Sequence, residues 1–209
     1  MGFAQSSPRN ANSPEAFVPQ GNVISETIRG DLNHDGLEDY VFITKATLKS
    51  KFVKDEYRGV LDRNRRGLTI VFKQKNDYKL VYQSKDCFSS ENEDGGVYFP
   101  PELNVLIEKG NLLVHFAHGR YGYWKYTFRF QNPNFELIGY DSEDNSGPVL
   151  LRSVSMNLLT KKMLITKNTN PNYTPEKLES KWTKLNFSKP IELKDFVDFD
   201  QCNPSLLEC

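Results

Sequence analysis

The chain has 209 residues, 38% hydrophobic and 12% aromatic, and its 27 basic residues are balanced by 27 acidic ones. There is enough apolar material for a packed core, and the zero net charge removes the general electrostatic reason to expect nucleic acid or an anionic membrane as partner. No apolar run approaches the roughly 18 residues that a membrane-spanning helix needs. The three cysteines show no Cys-x-x-Cys or Cys/His spacing that would point to zinc.

Residues 1–19 are polar and rich in Ser, Asn and Pro, with little to bury, so a disordered leader is expected there. The run Phe3-Ala4-Gln5-Ser6 resembles the stretch that follows signal cleavage in exported bacterial proteins. That resemblance implies a secreted or periplasmic protein whose signal peptide has been removed; the alternative is a cytosolic protein with a loose tail.

From residue 20 onward the texture is short apolar–polar alternation broken by turn residues, the pattern of strands. Strands are expected at 23–28, 40–44, 68–73, 78–83, 104–108, 112–117, 123–130, 135–140, 149–156, 162–166 and 181–187. Their spacing forms hairpins, the clearest around Lys109-Gly110-Asn111, where Gly accepts positive φ. Neighbouring hairpins imply an antiparallel meander, since parallel strands would require long crossovers. The expectation is therefore one all-β domain over 20–209, a sandwich or strongly curved sheet with few short helices. One helical turn is expected at 174–178, where Thr174-Pro175 offers an N-cap followed by Pro, and another at 193–196. The charged stretch 48–66 reads equally as a solvated loop or a short surface helix.

The most specific motif is Asp31-Leu32-Asn33-His34-Asp35-Gly36-Leu37-Glu38-Asp39. Asp31, Asn33 and Asp35 place side-chain oxygens at alternate positions, Gly36 allows a sharp turn, the Leu37 carbonyl adds a backbone oxygen and Asp39 closes the set. Ca²⁺ is a hard cation that takes six to eight oxygens, and such a loop can aim several at one ion. The set is not an EF-hand, which needs a bidentate Glu at its twelfth position, where Phe42 stands, and β-like rather than helical segments flank it. Asp-Gly is also an ordinary turn pair, so a plain turn is the competing reading. Set between strands, Asp-x-Asn-x-Asp-Gly-x-x-Asp resembles the calcium loop of FG-GAP repeats, here in a single copy. That resemblance implies a structural Ca²⁺.

A wider resemblance runs through the Gly30–Val41 stretch, Gly67-Leu-Thr-Ile-Val-Phe, Gly95-Gly96, Trp124-Lys-Tyr-Thr-Phe-Arg-Phe and Phe135-Glu-Leu-Ile-Gly. In this order the motifs are similar to a family of exported proteins and lipoproteins of Gram-negative bacteria that carries no assigned activity. The lipidated N-terminal Cys of its lipoprotein members has no counterpart near the start of this sequence.

Three weaker features complete the reading. Cys202 and Cys209, with six residues between them, are expected to close the C-terminal tail as a disulfide, the alternative being two free thiols; Cys87 is left over. Arg120, Tyr121, Tyr123 and Trp124 combine aromatic area with polar handles and are candidates for stacking a glycan or docking a protein, with core packing as the alternative. His115 and His118 are candidates for hydrolysis if either meets Glu91, Glu93 or Asp94. The leading expectation is a non-catalytic, Ca²⁺-stabilised binding or interaction module. An inhibitor or immunity-type protein and a hydrolase using His115 or His118 are the alternatives.

Overall fold

The computed structural model describes residues 10–93 and 99–199. The expected antiparallel all-β architecture is present: every strand pairing among these residues is antiparallel, and the helical segments are 3-10 turns of three or four residues. The sequence reading treats 20–209 as one domain. By contacts, the described residues divide into two compact units, one holding 10–93 with 196–199 and the other 99–195.

The first unit is built on a five-stranded sheet made by β1 (Asn10–Ala11), β2 (Asn22–Gly30), β3 (Asp39–Ala46), β6 (Arg66–Lys73) and β7 (Tyr78–Phe88), ordered β1-β7-β6-β3-β2. A separate two-stranded hairpin consists of β4 (Phe52–Asp55) and β5 (Gly59–Asp62). The middle strands β3 and β6 are buried on both faces, which is why they read as continuous apolar runs: Val41, Phe42, Ile43, Leu68, Ile70 and Val71 are all but inaccessible. Gly67 marks a close approach of β6 to β7. A Cβ there would lie 2.3 Å from the Ser84 carbonyl oxygen.

Of the leader expected at 1–19, residues 1–9 lie outside the described residues, and 10–19 are packed onto the sheet. Ala11 pairs with Tyr78 on β7, and a 3-10 turn at Pro14–Phe17 presses Phe17 against Phe42 and Val71. The Gln83 side chain then donates to the Phe17 carbonyl at 2.6 Å. Phe17 anchors this mostly polar segment together with the buried Pro14, and burying a Phe contributes about 2 kcal/mol or more. Phe196 and Phe199 return to the same unit, Phe199 packing on Phe88 at 5.0 Å and donating its amide to the Cys87 carbonyl. Cys87 is fully buried, and burial pushes its thiol up to about 12.

The second unit is a seven-stranded meander in chain order: β8 (Glu102–Glu108), β9 (Asn111–Ala117), β10 (Gly122–Gln131), β11 (Asn134–Ser146), β12 (Val149–Asn157), β13 (Lys162–Asn168) and β14 (Leu178–Lys184). Lys109 and Gly110 both take positive φ in the β8–β9 turn, as the hairpin reading expects. One face carries the core, including Val114, Tyr126, Tyr140, Val154 and Met156. Gly122 opens β10 at φ +115°, and a Cβ there would lie 1.8 Å from the Glu143 carbonyl oxygen.

The helical turn expected at 174–178 does not form. Asparagine side chains take the backbone groups a helix would use: Asn168 accepts from the amides of Asn170 and Lys177, and Asn170 donates to the Pro175 carbonyl. The turn at 193–196 is present as a 3-10 turn at Leu193–Asp195. The 48–66 stretch, which reads equally as loop or helix in the sequence, contains the β4–β5 hairpin preceded by a 3-10 turn at Lys49–Lys51. Asp55 closes its turn by accepting the amides of Tyr57 and Arg58 at 2.9 and 2.8 Å. Cys202 and Cys209 lie outside the described residues.

Candidate metal centre

The loop 31–39 links β2 to β3 and folds on its own carboxylates. Asp31 accepts the amides of Asp35 and Gly36 at 3.2 and 2.9 Å, one on each oxygen. Asn33 accepts the Asp35 amide at 3.0 Å and donates to the Asp35 carboxylate at 2.9 Å. Asp35 in turn accepts the Leu37 amide at 2.8 Å. This winding puts two residues in the left-handed region, Gly36 at φ 81° and His34 at φ 62°. Gly enters that region freely, and His is among the few other residue types that visit it.

Asp39 stands apart from the exposed part of the loop. Its side chain is fully buried, with one oxygen accepting the Leu32 amide at 2.9 Å and the other the Lys73 amide at 3.0 Å. Burial is the main force raising its carboxyl. The two amide bonds pull it back down, Asp35 and Asp31 push it up again, and the outcome is about 6 against an ordinary 3.8. Leu32, buried completely in the same loop, anchors it to the core. An isolated Leu between Asp31 and Asn33 is the sequence signal for that anchor.

Asp31, Asn33, Asp35 and Asp39 therefore belong to one short loop, bound through the amides of 32, 35, 36 and 37. Asp31 and Asp35 are near enough to Asp39 to act on its charge. Among the described residues no three His, Cys, Asp or Glu side chains form a ready-made metal cage. No family model matches this chain, and no curated protein or solved structure matches it either.

The other candidates are spread over the second unit. Arg120 and Tyr121 share the 3-10 turn Gly119–Tyr121, with the Arg120 guanidinium 5.4 Å from the Tyr121 ring centre. Tyr123 and Trp124 are adjacent on β10 and so face opposite ways. Trp124 stacks on Phe116 at 5.1 Å and 14°, whereas Tyr123 packs against His115 at 5.4 Å. The four residues do not form one patch.

His115 pairs across the sheet with Lys125, and Lys125 with Asp141. Asp141 binds Lys125 at 3.2 Å and accepts the Ser155 hydroxyl at 2.8 Å. Burial lowers the His115 imidazole and Lys125 lowers it further. His115 thus faces a cation and an aromatic ring. His118 packs on Tyr121 at 5.3 Å, its Nε2 buried without a hydrogen-bond partner. Glu91 is paired with Lys45 at 3.1 Å and Glu93 accepts the Ser90 hydroxyl at 2.8 Å; Asp94 lies outside the described residues. Sequence reasoning did not anticipate the Asp39–Lys73 link or the His115–Lys125–Asp141–Ser155 row, because both depend on strand register.

Proposed function

We propose that residues 31–39 take up one structural Ca²⁺ and that the chain is a non-catalytic, exported module that binds a protein or glycan partner. The observation that supports the metal is that Asp31, Asp35 and Asp39 share one short loop, with Asp39 buried and raised to about 6 partly by Asp35 and Asp31. A dication among them would offset that repulsion and hold Asp39 ionised. Asp31, Asn33, Asp35 and Asp39 with the Leu37 carbonyl are all-oxygen donors, the chemistry Ca²⁺ prefers, and water completes its coordination. A carboxylate oxygen that accepts an amide keeps a second lone pair, so the present hydrogen bonds and metal ligation are compatible.

Because all the proposed ligands are local, the ion's role in this reading is to fix the β2–β3 connection. The resemblance to FG-GAP calcium loops and to exported Gram-negative proteins supports the metal and the compartment. The surroundings of His115, a lysine and a tyrosine ring, favour recognition over hydrolysis.

Isothermal titration with CaCl₂ tests the reading. One ion per chain is expected, with Asp31→Ala losing the binding heat and MgCl₂ producing far less, since Mg²⁺ demands stricter octahedral geometry. A parent chain that takes up no Ca²⁺ would overturn it.

A further inference from the structure

The seven-stranded sheet ends on β14, which pairs with β13 on one side and with no other strand among the described residues on the other. All of its residues are exposed, Trp182 at 66% and Leu178 at 47% among them. The pairing with β13 runs the full length of the strand without a bulge, and the strand holds no proline. A long, regular edge of this kind is a template for another strand.

The phase of the β13–β14 ladder decides which backbone groups are on offer. The Thr169 amide donates to the Lys177 carbonyl at 2.7 Å and the Leu185 amide to the Lys161 carbonyl at 2.9 Å, one bond at each end of β14. Hydrogen-bonded and non-hydrogen-bonded pairs alternate in an antiparallel ladder, so Glu179, Lys181 and Thr183 turn their amides and carbonyls to β13. Leu178, Ser180, Trp182 and Lys184 turn theirs outward.

The strand is complementary to itself in one register. A two-fold axis normal to the sheet sets residues of equal parity opposite each other, because cross-strand partners share a face. With the axis at Ser180, Glu179 lies opposite Lys181 of the second copy and Leu178 opposite its Trp182, and symmetry repeats both pairs. The outward amides and carbonyls of Leu178, Ser180 and Trp182 then all find partners. An axis at Glu179 would set Glu179 against itself, and an axis at Lys181 would set Lys181 against itself; like charges directly opposite destabilise a pairing. Lysines on an edge ordinarily discourage association, but in the Ser180 register Lys181 meets a carboxylate. The sheet's other edge, β8, has no basic residue, and pairing it with itself about Val105 would set Glu102 against Glu108.

We infer that β14 is the interface of a homodimer, in which two copies of this chain join antiparallel about Ser180 and their meanders form one continuous sheet. Main-chain hydrogen bonds and the Leu178–Trp182 contacts supply the affinity, and the Glu179–Lys181 pairs fix the register. An interface confined to two strands belongs to the small class, below about 1,200 Å², so the dimer is reversible and depends on concentration. The inference does not rest on the calcium reading.

The test is sedimentation equilibrium of the full chain over a concentration series, in calcium and in chelator. The parent should reach a closed dimer in both. Lys181→Glu turns both symmetry-related pairs into like-charge pairs and should weaken the dimer at least about tenfold. An equimolar mixture of Lys181→Glu with Glu179→Lys restores opposite charges at both pairs, so it should dimerise where each variant alone does not. Ser180→Pro removes an outward amide at the axis and no bond to β13, and proline is tolerated on an edge strand. That variant should keep the parent's far-UV spectrum and sediment as a monomer. A parent that stays monomeric throughout, one that grows into open polymers, or a dimer that survives Lys181→Glu and Ser180→Pro unchanged would overturn the assignment.

Discussion

The Asp39 carboxylate reaches across from β3 to accept the backbone amide of Lys73 on β6 at 3.0 Å, while its second oxygen accepts Leu32 in the loop at 2.9 Å. One buried side chain thereby fastens the loop 31–39 to the centre of the first sheet. Asp39→Ala leaves two amides without their acceptor, each costing about 1–3 kcal/mol. Urea unfolding should show a loss of about 2–6 kcal/mol.

The same residue sets a pH dependence in the metal-free chain. Its folded carboxyl lies at about 6 and its ordinary value is 3.8, so between those values the folded state holds a proton that the unfolded state has released. Asp39 therefore favours folding most at acid pH, and that contribution is lost as pH rises from about 4 to about 6, by up to about 3 kcal/mol. In chelator, the stability of the parent relative to Asp39→Asn should fall across this interval. A difference that stays flat would contradict the burial argument.

Phe17 offers a test of the ordered N-terminal segment. It is 1% exposed and packs on Phe42 and Val71. Phe17→Ala should destabilise the first unit by about 3–5 kcal/mol, read as a shift of the urea midpoint. A change under about 0.5 kcal/mol, the scale of a surface substitution, would mean that the segment contributes nothing to the core.

Two glycines in the second unit should respond very differently to alanine. At Gly122 the added Cβ meets the Glu143 carbonyl oxygen at 1.8 Å, so backbone must move and a loss above about 3 kcal/mol is expected. At Gly147, φ is +61° with nothing within 4 Å, so the cost is the left-handed penalty of about 1–2 kcal/mol. Thermal unfolding of the two variants side by side checks the ordering.

Much of the fold was legible because alternation and turn chemistry agreed. Tyr40 to Thr44, Leu112 to Ala117 and Tyr123 to Phe130 all lie in strands, and Lys109-Gly110 makes the expected turn. The hairpin within 48–66 was hidden by its own surface: with Phe52 and Val60 exposed among lysines and Leu61 the single buried residue of its two strands, no repeated burial imposes a visible period of two. Phe17 was overlooked because a single anchor carries no period. In the loop, the positions of Asp31, Asn33 and Asp35 announced a tight oxygen-rich turn. That Asp39 would turn inward to Lys73, thirty-four positions along the chain, depends on the pairing of β3 with β6 and cannot be read locally.

The calcium reading is tested most directly by the melting temperature of the parent chain and of Asp35→Ala, each in calcium and in chelator. Ligand that binds only the folded state raises stability by about 2.7 kcal/mol at a hundredfold excess over Kd. The parent should therefore melt several degrees higher in calcium, and the variant at the same temperature in both. An equal shift in both proteins, or none in the parent, would contradict the account.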